Sequence, residues 1–395
     1  MSHFSEWRFS ENVRKYDFDS NDKYLNDLLN IDHSFTGRMD ANIANTFILE
    51  ASQLLVNSIA IFRLGYFDAA YYCLRESIEI STLMIYFVDL IDKDAKYKDW
   101  KNSDNKFPMQ KQMLDYLKVN GDILKDMKYN MVNFFNSIDE TSRKLNKFVH
   151  KQGLNKLYVS KNHPISLGAN PIEKDEKTIS EYESYLKKCI GIVAIMRLAI
   201  DPFPILLLED EIYNRTNDLI TDPYNRDFVS EYIGEDNLND YKKTDLYINH
   251  YNSIMLEPLK DRALTDIIKA HYIDLEKMDI IIEQLDLLQF PYCIAAMLAI
   301  EFEKITIIYT YGGMMMFFTN RKTSRLKQSW NGADFKKFSD INKCNQTYDE
   351  AFISVLKVKK EYFYVEHNEM FTPKEISRLK NFEKDFNEKE DNDEK

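Results

Sequence analysis

The stretch Arg143-Lys-Leu-Asn-Lys-Phe-Val-His150 decides how this chain is read. At about 100° per residue, seven steps bring His150 back to within roughly 20° of Arg143 and about 10 Å along the same helical face, with Asn146 between them. Six Lys or Arg and no acid occur from Arg143 to Lys161, in a chain whose net charge is -12. The spacing therefore predicts a helix end that is locally cationic and presents Arg, Asn and His together.

Working upstream, Leu124, Met127, Met131, Phe134, Phe135 and Ile138 keep the helical period, so one long helix is expected from about Asp122, stopped by Gly153. Pro108 is placed to open a short helix that Gly121 ends, after a charged loop from Asp92 to Lys106. Before that loop, Ile43, Phe47, Ile48, Leu54, Leu55, Ile59 and Phe62 predict a long amphipathic helix, and a second runs from Tyr66 or Asp68 to about Leu90. Gly65 between them makes the two an antiparallel hairpin.

Downstream, Ser160 to Glu176 holds Pro164, Gly168 and Pro171 among polar residues and reads as a loop, with helix resuming from about Thr178 to Leu198. The break at Asp201-Pro-Phe-Pro204 closes a first domain, residues 1–208. Residues 209–382 carry helical patterns near 245–256, 259–288, 291–311, 345–365 and 373–386, so a second helical domain is expected, without an assigned role. Residues 383–395 hold seven acids against three lysines and read as a disordered acidic tail. Only 10 Gly and 9 Pro punctuate 395 residues that are 44% hydrophobic, so long elements are expected and the fold class is all-α.

Composition also bounds function. No stretch approaches 18 consecutive apolar residues, and the N-terminus has neither a basic start with an apolar run nor a cleavage-like segment, so the expectation is a cytoplasmic protein with no membrane partner. Cys73, Cys189, Cys293 and Cys344 lie far apart, which argues against a zinc knuckle and against a disulfide framework. An isoelectric point near 5.2 excludes broad coating of nucleic acid, so any such contact must be local. His33, His163, His250, His271 and His367 lack partners at ligand spacing, and the sequence has no Gly-rich phosphate loop; no metal and no cofactor are expected.

A histidine and an arginine on one helix face suit phosphodiester cleavage without metal. Imidazole moves a proton near neutral pH, and guanidinium stays charged and braces the negative charge that develops at phosphorus. RNA supplies its own nucleophile, the 2′-hydroxyl, so such a site needs acid/base help and charge stabilisation only. The candidate catalytic residues are Arg143, Asn146 and His150, with Lys144, Lys147 and Lys151 as candidate RNA contacts. Their ordinary reading is a solvated helix end, where cations favour the dipole. Arg75 and Glu79, one turn apart on the second long helix, read either as a helix ion pair or as supporting residues. Thr319 to Lys337 has six Lys or Arg against one acid, interleaved with Trp330 and Phe335, so Arg321, Lys322 and Arg325 are further RNA-binding candidates; the commoner reading is a solvated loop. Gly312 to Phe318, just before it, suits either core filling or an adaptable contact surface, with core the better reading.

The stretch resembles the signature of the HEPN superfamily, an Arg followed after four to six residues by a His near the end of a helix. Here the gap is six, and Lys144 stands where a polar residue usually follows the Arg. Some branches also combine Leu-Arg with a Glu after a Gly-aromatic turn, similar to Leu74-Arg75 and Glu79, with a later Leu-Asn-Lys-aromatic-Val-His, similar to Leu145 to His150. The resemblance covers roughly residues 42–200. It implies a HEPN-like helical bundle, often a homodimer or larger homo-oligomer, acting as a metal-independent endoribonuclease in toxin–antitoxin or anti-phage (abortive infection) systems, with RNA as substrate and an antitoxin or defence protein as partner. The alternatives are a non-catalytic module that binds a nucleotide or a partner protein, and a helical scaffold.

Overall fold

A computed structural model describes residues 15–16, 18, 20–89, 93–103, 108–157, 171–216, 221–310, 316–321, 338, 343–348 and 350–388. The chain is mostly helical with one small antiparallel sheet near its C-terminus. It divides into two compact units, Met1–Tyr213 with Leu219–Leu256, and Asn214–Asp218 with Glu257–Lys395. The first unit thus continues past residue 208 to Leu256, because Tyr224, Phe228, Tyr241 and Tyr247 are buried in the same core as the earlier helices.

The first unit begins with α1 (Asn21–Asp32), then α2 (Ile43–Arg63) and α3 (Phe67–Asp89). Gly65, at φ 87°, lets the chain reverse between α2 and α3, and its N–H donates to the Phe62 carbonyl at 2.8 Å. Among the described residues α2 is long and apolar enough to cross a membrane by length and composition; here its Phe47, Ile48, Leu55, Ile59 and Phe62 line the core. α4 (Lys93–Lys101) occupies the stretch expected as a charged loop. Its rings explain the helix, since Tyr97 and Trp100 pack edge-on against Phe87.

α5 (Gln110–Asn120), α6 (Asp122–Asn130) and α7 (Val132–Val149) follow. The single helix expected from Asp122 is two, broken at Met131 (φ -118°, ψ 48°). The Asp89 carboxylate caps α6 by accepting the N–H groups of Asp122, Ile123 and Leu124; burial nonetheless pushes its pKa above the ordinary value. α8 (Pro171–Leu198) starts seven residues before Thr178. Its fully buried Arg197 bridges to Asp201, also fully buried, and donates to the carbonyls of Ser34 and Phe35, so one guanidinium ties the chain after α1 to the end of α8. Short helices α9 (Phe203–Leu206), α10 (Asp210–Arg215) and α11 (Arg226–Phe228) lead into a π-turn at Val229–Ile233, then α12 (Glu235–Tyr241) and α13 (Asp245–Met255). Gly191 permits α8 to touch that turn: a Cβ there would lie 2.1 Å from the Tyr232 carbonyl oxygen.

The all-α expectation is roughly right for the chain, which is mostly helical, but the second unit departs from it by one small antiparallel sheet. After α14 (Arg262–Ala270), α15 (Met278–Glu283) and α16 (Phe290–Glu301), the chain forms β1 (Ile305–Thr310), β2 (Met316–Thr319), β3 (Gln346–Tyr348), β4 (Ala351–Val358) and β5 (Glu361–His367), and ends in α17 (Pro373–Glu388). The sheet order is β2-β1-β5-β4-β3, with every pairing antiparallel. One face packs Ile308, Phe318, Leu356, Phe363 and Val365 against the helices, and the other gathers Ile307, Tyr309, Ile353, Val355 and Tyr364 with Phe338. The helical expectation for 291–311 holds over α16 and fails at β1, and that for 345–365 fails throughout, because burial on both faces of the sheet gives apolar runs with no alternation. The tail expectation is also corrected: α17 runs to Glu388, held where Glu383 and Asn387 accept the N–H groups of Lys357 and Lys359. Residues 389–395 lie outside the described residues.

Candidate functional site

The apolar stripe of α7 sets which residues face out. Phe134, Phe135, Ile138, Thr141, Leu145, Phe148 and Val149 are buried, so residues roughly 140° to 160° round the helix from Leu145, namely His150 and Arg143, must point away from the core. Arg143, Lys147 and His150 are exposed, and Asn146 is half-buried. The expected shared face therefore forms, and it is the solvent face. Among the described residues, the Arg143 guanidinium, the Lys147 ammonium and the His150 imidazole have no hydrogen-bonding or ion-pair partner. Asn146 Oδ1 is enclosed without a hydrogen-bond partner.

Helix α7 ends at His150, whose N–H donates to the Asn146 carbonyl at 2.8 Å. The left-handed residue that stops it is Lys151, at φ 52°; Gly153, expected in that role, follows at φ 109°. This stop is bound to the start of α3. The Tyr72 hydroxyl donates to the Val149 carbonyl at 3.0 Å, and Lys151 pairs with Asp68. Tyr71 stacks on Phe148 with centroids 3.8 Å apart, and Lys156 Nζ sits 3.7 Å from the Phe148 centroid on its way to Glu181 at 2.9 Å.

These contacts fix the register of α3 against α7. Asp68 meets Lys151 and Tyr72 meets Val149, so the helices run antiparallel, and Arg75 lies roughly level with Asn146 and Glu79 with Ser142. Arg75 and Glu79 are joined to each other as an ion pair, both partly buried. The local pair and the place beside α7 are therefore both present.

The cations of the face are not equivalent. Lys144 is paired with Glu140 at 2.5 Å, which raises the lysine pKa and lowers that of the glutamate. Lys151 keeps an exposed stem but its Nζ is enclosed opposite Asp68. Arg143 and Lys147 remain uncommitted among the described residues. Arg321 is exposed, with its N–H on the Thr319 hydroxyl at 3.1 Å; Lys322 and Arg325 lie outside the described residues, as does most of the Thr319 to Lys337 patch. Among the described residues no group of three or more His, Cys, Asp or Glu side chains could hold a metal ion.

Asp68, Tyr72 and Lys156 were not singled out from the sequence. Asp68 carried a faint signal as an acid in a first helical turn; the other two carried none, since their partners are distant in sequence. No family model, curated protein or solved structure matches the chain.

Proposed function

We propose that this chain is a metal-independent endoribonuclease of the HEPN type, used as a toxin or anti-phage defence effector. The observation that carries the reading is a guanidinium and an imidazole, Arg143 and His150, both exposed and uncommitted on one face of one helix end. Uncommitted charge is what a phosphodiester needs, because a cation already paired must first break that pair. In the proposed reaction the substrate 2′-hydroxyl attacks the adjacent phosphorus and the 5′-oxygen leaves. His150 moves the proton and Arg143 stabilises the charge on the phosphoryl oxygens. The Asn146 amide hydrogen-bonds the phosphate, Lys147 binds a neighbouring phosphate, and the Arg75–Glu79 pair orders the α3 side.

The face is open, so a second copy of the chain is proposed to enclose it, and an antitoxin or defence protein to cover it at rest. The test is RNA integrity with purified wild type, His150→Ala and Arg143→Ala, each in chelator. Cleavage by wild type that falls about 10²-fold or more in His150→Ala, with RNA affinity kept, is expected. Intact RNA with all three proteins, alongside loss of a nucleotide or protein partner in Arg143→Ala, replaces the enzyme with a binding module.

A further inference from the structure

We infer that Asp68 and Lys151 are positioning residues for His150: the ion pair between them sets the place of the imidazole, and Lys151 does not itself contact substrate. The inference rests on the ribonuclease reading for its kinetic consequence, though not for its geometry.

His150 has no side-chain partner among the described residues, so its position is whatever the backbone on either side of it dictates. Beyond the bonds within its own helix end, that backbone is tied to α3 at two points. On one side the Val149 carbonyl accepts the Tyr72 hydroxyl at 3.0 Å. On the other, Lys151 takes a left-handed conformation, φ 52°, which costs a residue with a Cβ free energy and persists only where something holds it. Two backbone bonds close the helix end around it, from the Gln152 N–H to the Lys147 carbonyl at 2.8 Å and from the Lys151 N–H to the Phe148 carbonyl at 3.3 Å, and the Lys151 ammonium reaching Asp68 ties that closed end to α3. Both anchors come from the first turns of α3, so the segment 149–151 is bound to one neighbouring helix.

Burial decides between the two roles open to Lys151. Its Nζ is enclosed, while its stem is the exposed part, so a phosphate on the outer face meets methylenes before it meets charge. Arg143 and Lys147 present their charges to that same face directly. A buried ammonium with a carboxylate opposite is costly to separate, because either partner left alone is an uncompensated buried charge. Lys151 therefore stays on Asp68 when RNA arrives.

A double-mutant cycle tests this, with Asp68→Asn, Lys151→Met and the pair combined. If the ion pair acts only by placing His150, each single change lowers kcat about tenfold and leaves KM within about twofold, and the double variant is no worse than either. Lys151→Arg, which keeps the pair, restores the rate. A Lys151 that touches RNA raises KM instead and multiplies with Asp68→Asn, which overturns the inference. The second readout needs no activity: the imidazole C–H resonances of His150, identified through His150→Gln, shift alike in both single variants and the double, and return in Lys151→Arg, with thermal midpoints recorded for each. Unmoved His150 resonances in Asp68→Asn sink the positioning role whatever the kinetics. Shifted resonances in a protein that cleaves no RNA keep the positioning role and remove the ribonuclease reading.

Discussion

Tyr71 and Phe148 lie face to face, 3.8 Å between centroids and 11° between planes, and this stack is where α3 grips the end of α7. Both rings are fully buried, and Tyr182 and Tyr185 meet Tyr71 edge-on from α8. The helix carrying Arg143 and His150 is thus seated by aromatic packing two residues from the histidine.

Truncating that ring removes the seat. Phe148→Ala is expected to cost about 3–5 kcal/mol through lost burial and the cavity left behind. Denaturant unfolding of the whole chain measures it; a loss below about 1 kcal/mol would show that the stack is not a main support of α7.

Gly191 gives a backbone prediction. The Tyr232 carbonyl oxygen and carbon would lie 2.1 Å and 3.0 Å from an added Cβ, and backbone on both sides leaves nothing flexible to yield. Gly191→Ala is expected to destabilise the first unit by about 1–3 kcal/mol. A thermal midpoint equal to wild type would contradict the close approach of α8 to the π-turn.

His367 gives a pH prediction for the second unit. It is fully buried, Ser354 Oγ lies 2.9 Å from its Nε2, and its Nδ1–H donates to the Glu369 carbonyl at 2.8 Å. Burial holds its pKa below the ordinary histidine value; the Glu369 bond opposes this, Lys304 adds to it and Glu375 opposes it. Below about pH 6.5 the unfolded chain therefore binds a proton that the folded one refuses, so the stability His367 confers is complete above that pH and is lost as pH falls. Glu375, lowered to about 2 first by the Thr372 N–H and then by Lys304, shifts the proton balance in the same direction, but only below the unfolded glutamate range, about pH 4.3, and so outside the window of this test. Unfolding of the second unit followed from pH 7 to pH 5 should show the decline, and His367→Gln should flatten it. An identical slope in both proteins would exclude His367 as its source.

Lys147 and Lys144 separate if the outer face binds RNA. Lys147 is uncommitted among the described residues, whereas Lys144 must leave Glu140 to reach a phosphate. Lys147→Ala should lower RNA affinity and reduce the salt slope by about 0.7, the value for one phosphate contact on a single strand, while Lys144→Ala changes it less. Titrations at several salt concentrations provide the measurement, and equal slopes for the two variants would remove the distinction.

The residue pattern by itself determined the long elements of the first unit and the outward face of α7. Gly65, the apolar periods of α2 and α3, and the 100° advance from Arg143 to His150 are local, and local geometry is what a sequence carries directly. Tertiary structure alone decided the rest. The strands of the second unit were hidden because burial on both faces erased the alternation that marks a strand. That Lys151 is taken was settled by Asp68 coming within reach, and Asp68 stands 83 positions from Lys151 in the chain, so no spacing announced it, unlike Glu140, which is one helical turn from Lys144. A helical period tells which way a side chain points; only packing tells what it meets there.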